Sequence, residues 1–159
     1  MTRATLATTI ASTLAACALA VTAAAAPAVT PAAYRTQLNA LCRSYTPKLK
    51  RLETKLAAAL KANRPRAYGV YLGQALVLAI EEDVRIERTP VPAALRSRIA
   101  PIVRQLKLAD GAARRALADA VRGDSQGMVA ELRTIAKLSP SLNTRLDRAG
   151  LRDCGSNQD

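Results

Sequence analysis

Histidine, phenylalanine and tryptophan are absent from all 159 residues, and tyrosine occurs only four times. Without histidine there is no Ser-His or Cys-His nucleophile and no imidazole metal ligand. The commonest general base near neutral pH is also missing. No Ser-x-x-Lys pair and no glycine-rich phosphate loop compensates. The expectation is a protein that is not an enzyme and carries no cofactor and no metal. The lack of Phe and Trp removes the usual platforms for stacking bases. Nucleic acid is therefore not an expected partner, despite a formal net charge of +12 from 24 basic and 12 acidic residues. No segment alternates apolar and polar residues as a half-buried strand would.

Long apolar runs are also missing, with one exception. After Met1-Thr2-Arg3, a short positive start, an Ala-, Leu- and Thr-rich run extends to about Ala26 and ends in Ala26-Pro27-Ala28. A small-residue zone after such a run is the pattern of a cleaved signal peptide, here residues 1–28. The run is long enough to span a bilayer, but it contains few Leu or Ile and makes a weak anchor. Within it, Leu14-Ala15-Ala16-Cys17 fits a lipoprotein signal ending before Cys17, which would then be lipidated. The still apolar Ala18–Ala26 stretch argues for a soluble secreted form instead. Either route leaves one strongly basic domain outside the cytoplasm, because residues 1–28 carry a single charge, Arg3.

Beyond a short tether at 29–33, four amphipathic segments fill residues 34–154, and 155–159 form a tail. Tyr34, Leu38, Leu41, Tyr45, Leu49, Leu52, Leu56 and Leu60 recur at steps of three or four, the helical period. A second helix is expected from Pro65 to Arg88 with the stripe Tyr68, Leu72, Leu76, Ile80 and Val84. A third runs from Pro92 to Arg122. Its residues Leu95, Ile99, Ile102, Leu106, Ala109, Ala113, Ala116 and Ala120 alternate steps of four and three, like the seam of packed helices. Gly123 stops it, Asp124-Ser125 caps a fourth helix, and Gly150-Leu151 closes that one. Pro47 and Pro101 should kink their helices, and Pro140 should kink or split the fourth. Short links between such helices favour an all-α, antiparallel, up-down-up-down four-helix bundle.

Only Cys42 and Cys154 remain once the leader is gone or Cys17 is lipidated. An even pair in an oxidising compartment is most simply a disulfide. In the up-down-up-down arrangement these two positions fall side by side, so one bond would close the fold. Chain-entropy arithmetic for so long a loop gives roughly 4–5 kcal/mol before strain.

Tyr34-x-x-x-Leu38-Asn39-Ala40-Leu41-Cys42, Pro92 at the start of the central helix and Gly150-Leu151-x-x-Cys154 resemble a group of small exported helical proteins and lipoproteins of high-GC Gram-positive bacteria. The resemblance covers most of the mature chain. It implies a helical domain closed by a terminal cysteine pair, and it brings no active-site residues with it.

Three constellations invite a functional reading. The first is Glu81-Glu82-Asp83 with Glu87. Metal binding or acid–base work would need convergence from several helices. Ion pairing on a wet surface is the simpler expectation, through Arg85 and the arginines at 35, 43, 96 and 98. The second is the basic surface. Lys48, Arg51 and Lys55 line the first helix, and Arg114 and Arg115 stand on the third. Such charge suits anionic envelope polymers or a membrane surface, although an arginine-rich composition alone produces solvated basic faces. The third is a set of small residues, with Tyr68, Gly69 and Gly73 opposite Ala113 and Ala116. Small faces usually let helices pack closely, and close packing is the expectation here, with a ligand pocket as the alternative. The functional reading is a non-catalytic secreted or cell-envelope binding or structural module. Its alternative is a carrier for a small apolar ligand held between the helices, and the sequence names no protein partner.

Overall fold

A computed structural model describes residues 29–155; residues 1–28, where the signal peptide and the lipidation of Cys17 were expected, and the tail at 156–159 lie outside the described residues. Four long helices account for nearly all of it: α1 (Pro31–Lys61), α2 (Pro65–Arg88), α3 (Arg96–Arg122) and α4 (Ser125–Ala149). Single 3-10 turns occupy Ala93–Leu95 and Arg152–Cys154, and no strand occurs among the described residues.

Local chemistry sets the helix ends. Thr30 accepts a hydrogen bond from the Ala33 amide at 3.1 Å. Pro31 takes the first helical position, where its missing N–H has no partner to lose. The first turn therefore includes residues 31–33, and the expected tether shrinks to Val29 and Thr30. Asn63, at φ 49°, turns the chain out of α1 in the left-handed region that Asn tolerates. Gly123 (φ 75°) and Gly150 (φ 82°) do the same for α3 and α4 at no Cβ cost. The Asp124 carboxylate accepts from the Gly127 amide at 2.9 Å to start α4. After α4, the Leu151 amide reaches back to the Leu146 carbonyl at 2.9 Å, and the Leu151 side chain is buried, the hydrophobic contact expected of a glycine-terminated helix. Pro47, Pro101 and Pro140 all lie inside continuous helices, so Pro140 does not split α4.

Consecutive helices pack side by side: α1 on α2, α2 on α3 and α3 on α4. The main core joins Tyr34, Leu38 and Cys42 of α1 to Ile86, to Leu95, Ile99, Ile102 and Leu106, and to Leu146, Ala149, Leu151 and Cys154. This helical bundle is closed where α1 meets the last turn. Cys42 and Cys154 form a disulfide across a Cα–Cα distance of 5.1 Å. Around it the Arg35 Nε donates to the Ala149 carbonyl at 2.9 Å, and the Asn39 amide donates to the Gly150 carbonyl at 3.0 Å. The Asp153 amide donates back to Asn39 Oδ1, and Arg43 pairs with Asp153. These bonds satisfy carbonyls that the end of α4 would otherwise leave open.

Candidate functional site

Away from the disulfide, the small residues do not do what the sequence suggested. A Cβ built on Gly69 would meet nothing within 4 Å, and one on Gly73 would make only an ordinary contact of 3.8 Å with Leu117. Neither glycine brings two backbones together. Gly73 instead floors an open apolar groove of 540 Å³, lined by Leu52 of α1, by Gln74, Val77, Leu78 and Glu81 of α2, and by Leu117 of α3. Tyr68 and Gly69 belong to a second groove of 300 Å³ with Leu60, Leu72 and Met128. Ala113 and Ala116 are buried and line neither groove. The five candidate pocket residues are thus divided among two grooves and the core. The expectation of close packing holds for the alanines and fails for the glycines. The reason is volume: glycine does not fill the space that helix spacing leaves, and Leu52, Leu78 and Leu117 wall that space without closing it. Leu60, counted in the α1 stripe, is 71% exposed.

The polar edge of the larger groove is an ordered cluster. Glu81 accepts from the Tyr45 hydroxyl at 2.9 Å and from Arg85 at 2.8 Å. The Tyr45 bond, followed by the charge of Arg85, lowers the Glu81 pKa. Burial, then the same bond, raises that of Tyr45. Lys48 lies 4.7 Å and Arg85 5.6 Å from the Tyr45 ring centre, at cation–π range.

The rest of the acidic run contradicts the wet ion-pair expectation. Glu81 pairs with Arg85 as expected, and Glu87 lies 3.8 Å from Lys107. Glu82, however, is only 6% exposed, and its Oε1 has no hydrogen-bond partner. Burial pushes its pKa up to about 7. Asp83 faces Asp110 of α3, itself only 8% exposed, and the two carboxyls are hydrogen-bonded to each other. Burial first, and Asp110 second, push Asp83 up to about 9. Asp110 is also raised by burial, against the pull of Arg114. Two carboxyls in such contact share a proton, since both cannot ionise in a dry seam. Of the four arginines expected here, Arg35 bonds the Ala149 carbonyl, Arg43 pairs with Asp153, Arg98 lines a separate cleft, and Arg96 is exposed with no ion pair to the acidic run. Neither groove reaches the pair, and among the described residues no three potential metal ligands converge.

The five candidate polyanion-binding residues do not form one patch. Lys48 and Lys55 lie over the rings of Tyr45 and Tyr71, with Arg51 exposed between them in the chain. On α3, Arg114 faces Asp110, while Arg115 is held by both oxygens of Glu131 at 2.7 and 2.9 Å. Of the groove-lining residues, Gln74, Val77, Leu78 and Leu117 were not singled out by sequence, and Leu52 was expected only as part of the α1 stripe. Only the exposed valine at position 77 carried a signal, because it lies off the apolar stripe. No family model, curated protein or solved structure matches this chain.

Proposed function

We propose that this protein is a non-catalytic binding module of the secreted or envelope compartment, and that it holds a small apolar ligand in the groove along α2. The observation that carries this reading is the unfilled space over Gly73, walled by Leu52, Val77, Leu78 and Leu117. Its 540 Å³ lies in the range of small-molecule sites, which are mostly apolar with a few placed polar groups. Gln74 and the Glu81–Tyr45 pair would supply those groups. Contact with anionic polymers through the basic faces is secondary, since Arg115 is already held by Glu131 and the lysines lie over tyrosine rings.

The reading includes an antiparallel, up-down-up-down order of the helices. It is supported by the cross-helix pairs, whose numbers rise on one helix as they fall on the next. Tyr45 meets Glu81 and Lys55 meets Tyr71; Gly73 meets Leu117 and Glu87 meets Lys107; Gln105 meets Ser141 and Arg115 meets Glu131. Export rests on the leader at 1–28 or the lipoprotein signal before Cys17, and the disulfide suits an oxidising compartment. No described helix is long and apolar enough to cross a membrane. The resemblance to small exported helical proteins belongs to the same reading.

Binding of a neutral naphthylamine dye tests it. The protein should bind the dye with enhanced fluorescence, and Gly73→Leu should abolish that binding while leaving the fold intact. A protein that ignores the dye, or a Gly73→Leu variant that binds as well as the parent, would overturn the carrier reading.

A further inference from the structure

A third concavity lies where the start of α3 meets the end of α4, near the disulfide and separate from the α2 groove. It measures 420 Å³ and is lined by Ser97, Arg98, Pro101, Arg145, Arg148 and Ala149. Three guanidinium groups on two helices therefore share one cleft. None of them has an ion pair or side-chain hydrogen bond among the described residues. Arg43, Arg85, Arg115 and Arg122 each hold a carboxylate and Arg35 holds a carbonyl. What sets Arg98, Arg145 and Arg148 apart from the other arginines without such a partner is that all three line one concavity.

Two ordinary roles for these arginines are already filled. Cations near a helix C-terminus complement its dipole and its open carbonyls. At α4, however, the carbonyls of Leu146, Asp147 and Ala149 are bonded to the Leu151 amide, the Gly150 amide and Arg35. Asp147 falls between Arg145 and Arg148 in sequence, but its carboxylate lies against Gly155. Three like charges held together on a rigid, disulfide-closed corner repel one another, and an anion in the cleft relieves that repulsion.

The donor set narrows the chemistry of the anion. Guanidinium forks match the oxygens of carboxylates and phosphates in pairs. Three forks offer more donors than a single carboxylate can accept, whereas a phosphate monoester has three terminal oxygens, one for each fork. Ser97 adds a hydroxyl, and Pro101 and Ala149 give an apolar wall for the carbon next to the phosphate. We propose that Arg98, Arg145 and Arg148 form a binding site for a phosphate ester group. The site is independent of the apolar groove and stands whether or not that groove binds a ligand.

The test compares two triple variants of the exported protein that lose the same charge. One is Arg98→Gln/Arg145→Gln/Arg148→Gln; the other is Lys48→Gln/Arg51→Gln/Lys55→Gln, on exposed positions of α1. Both are titrated with glycerol phosphate and with vesicles of phosphatidic acid in phosphatidylcholine, after circular dichroism has verified their helicity. The cleft variant should lose about tenfold or more in affinity, as expected on removing several charge-assisted contacts. The α1 variant should lose no more than about threefold, the effect of long-range charge alone. Binding of both probes identifies the phosphate group itself as the ligand; binding of vesicles alone identifies a lipid headgroup. Equal losses in the two variants, no binding of either probe, or acetate competing as well as glycerol phosphate would overturn the proposal.

Discussion

The two ends of this molecule are built from different materials. Around the disulfide, Tyr34, Leu38, Ile99, Ile102 and Leu151 are fully buried, and side chains of α1 bind the backbone beyond α4. At the other end, Leu60 and Val121 stand in solvent, and two grooves open beside Gly69 and Gly73. Branched and aromatic residues fill the space between helices spaced about 8–10 Å apart, and alanine and glycine leave it open. Stability is concentrated at the end that is already filled, and room for a ligand lies at the end that is not. Between them sits an acidic layer made of the buried Glu82 and Asp110 and the half-buried Asp83.

The sharpest way to break this comparison is to cut the staple. Replacing Cys42 and Cys154 together by Ala should cost about 2–5 kcal/mol, the usual cost for a small exported domain, read by urea denaturation. A loss below about 1 kcal/mol would mean that the packed end does not depend on its cross-link. Core truncation should follow. Ile102→Ala should cost roughly 2–5 kcal/mol, whereas Leu60→Ala, on an exposed side chain, should stay within about 0.5 kcal/mol. Similar costs at both positions would erase the difference between the ends.

The buried acids sharpen the comparison through pH. Glu82, Asp83 and Asp110 all have pKa values raised in the fold, so the native state keeps protons that the unfolded chain releases. Stability from these groups is complete below the ordinary carboxylate range and is lost as pH rises through about 7 for Glu82 and about 9 for Asp83. The protein should therefore melt higher near pH 5 than near pH 8. Asp83→Asn should flatten that slope and add roughly 1–3 kcal/mol at the higher pH, because the amide is neutral without taking up a proton from solution and keeps a donor for Asp110. A melting temperature that climbs steadily from pH 5 to 8 would contradict the shared-proton seam.

Smaller effects probe the open end and the one flaw in the packed end. Gly73→Leu replaces a helical glycine where there is room, so stability should rise by about 0.8 kcal/mol from propensity. A fall in melting temperature would restore the close-packing expectation. Tyr34→Phe removes a buried hydroxyl that has no partner, and should leave stability unchanged or raise it by up to about 1 kcal/mol. A loss above that would mean that the hydroxyl is bonded in solution.

The α2 helix shows why some features were legible and others were not. Its ends, marked by Pro65 and by Thr89-Pro90, stand where sequence places them. Its buried face does not. The stripe Tyr68, Leu72, Leu76, Ile80 and Val84 advances by four residues each time, and on a helix of 3.6 residues per turn each step drifts by about 40°. By Val84 the stripe has moved far around the helix, and Glu82 and Ile86 hold the inward position. The stripe of α3, alternating steps of four and three, drifts by only about 20° per heptad. Leu95, Ile99, Ile102, Leu106, Ala113 and Ala116 are buried as expected, whereas Ala109 is half-buried and Ala120 at its far end is exposed. The acidic run was read by residue type, which favours water, whereas its position on the helix placed Glu82 inside.

What the sequence by itself determined is local: where helices start and stop, through prolines, Asn63, Asp124, Gly123 and Gly150. Those signals act through backbone dihedrals and hydrogen bonds within a few residues of one another, so no distant contact is needed to read them. Tertiary structure alone decided which face of α2 turns inward, that Asp83 meets Asp110, that Gly73 faces space, and that Arg98 joins Arg145 and Arg148. Each of these depends on residues far apart in the chain, and on how much volume the side chains of neighbouring helices can fill.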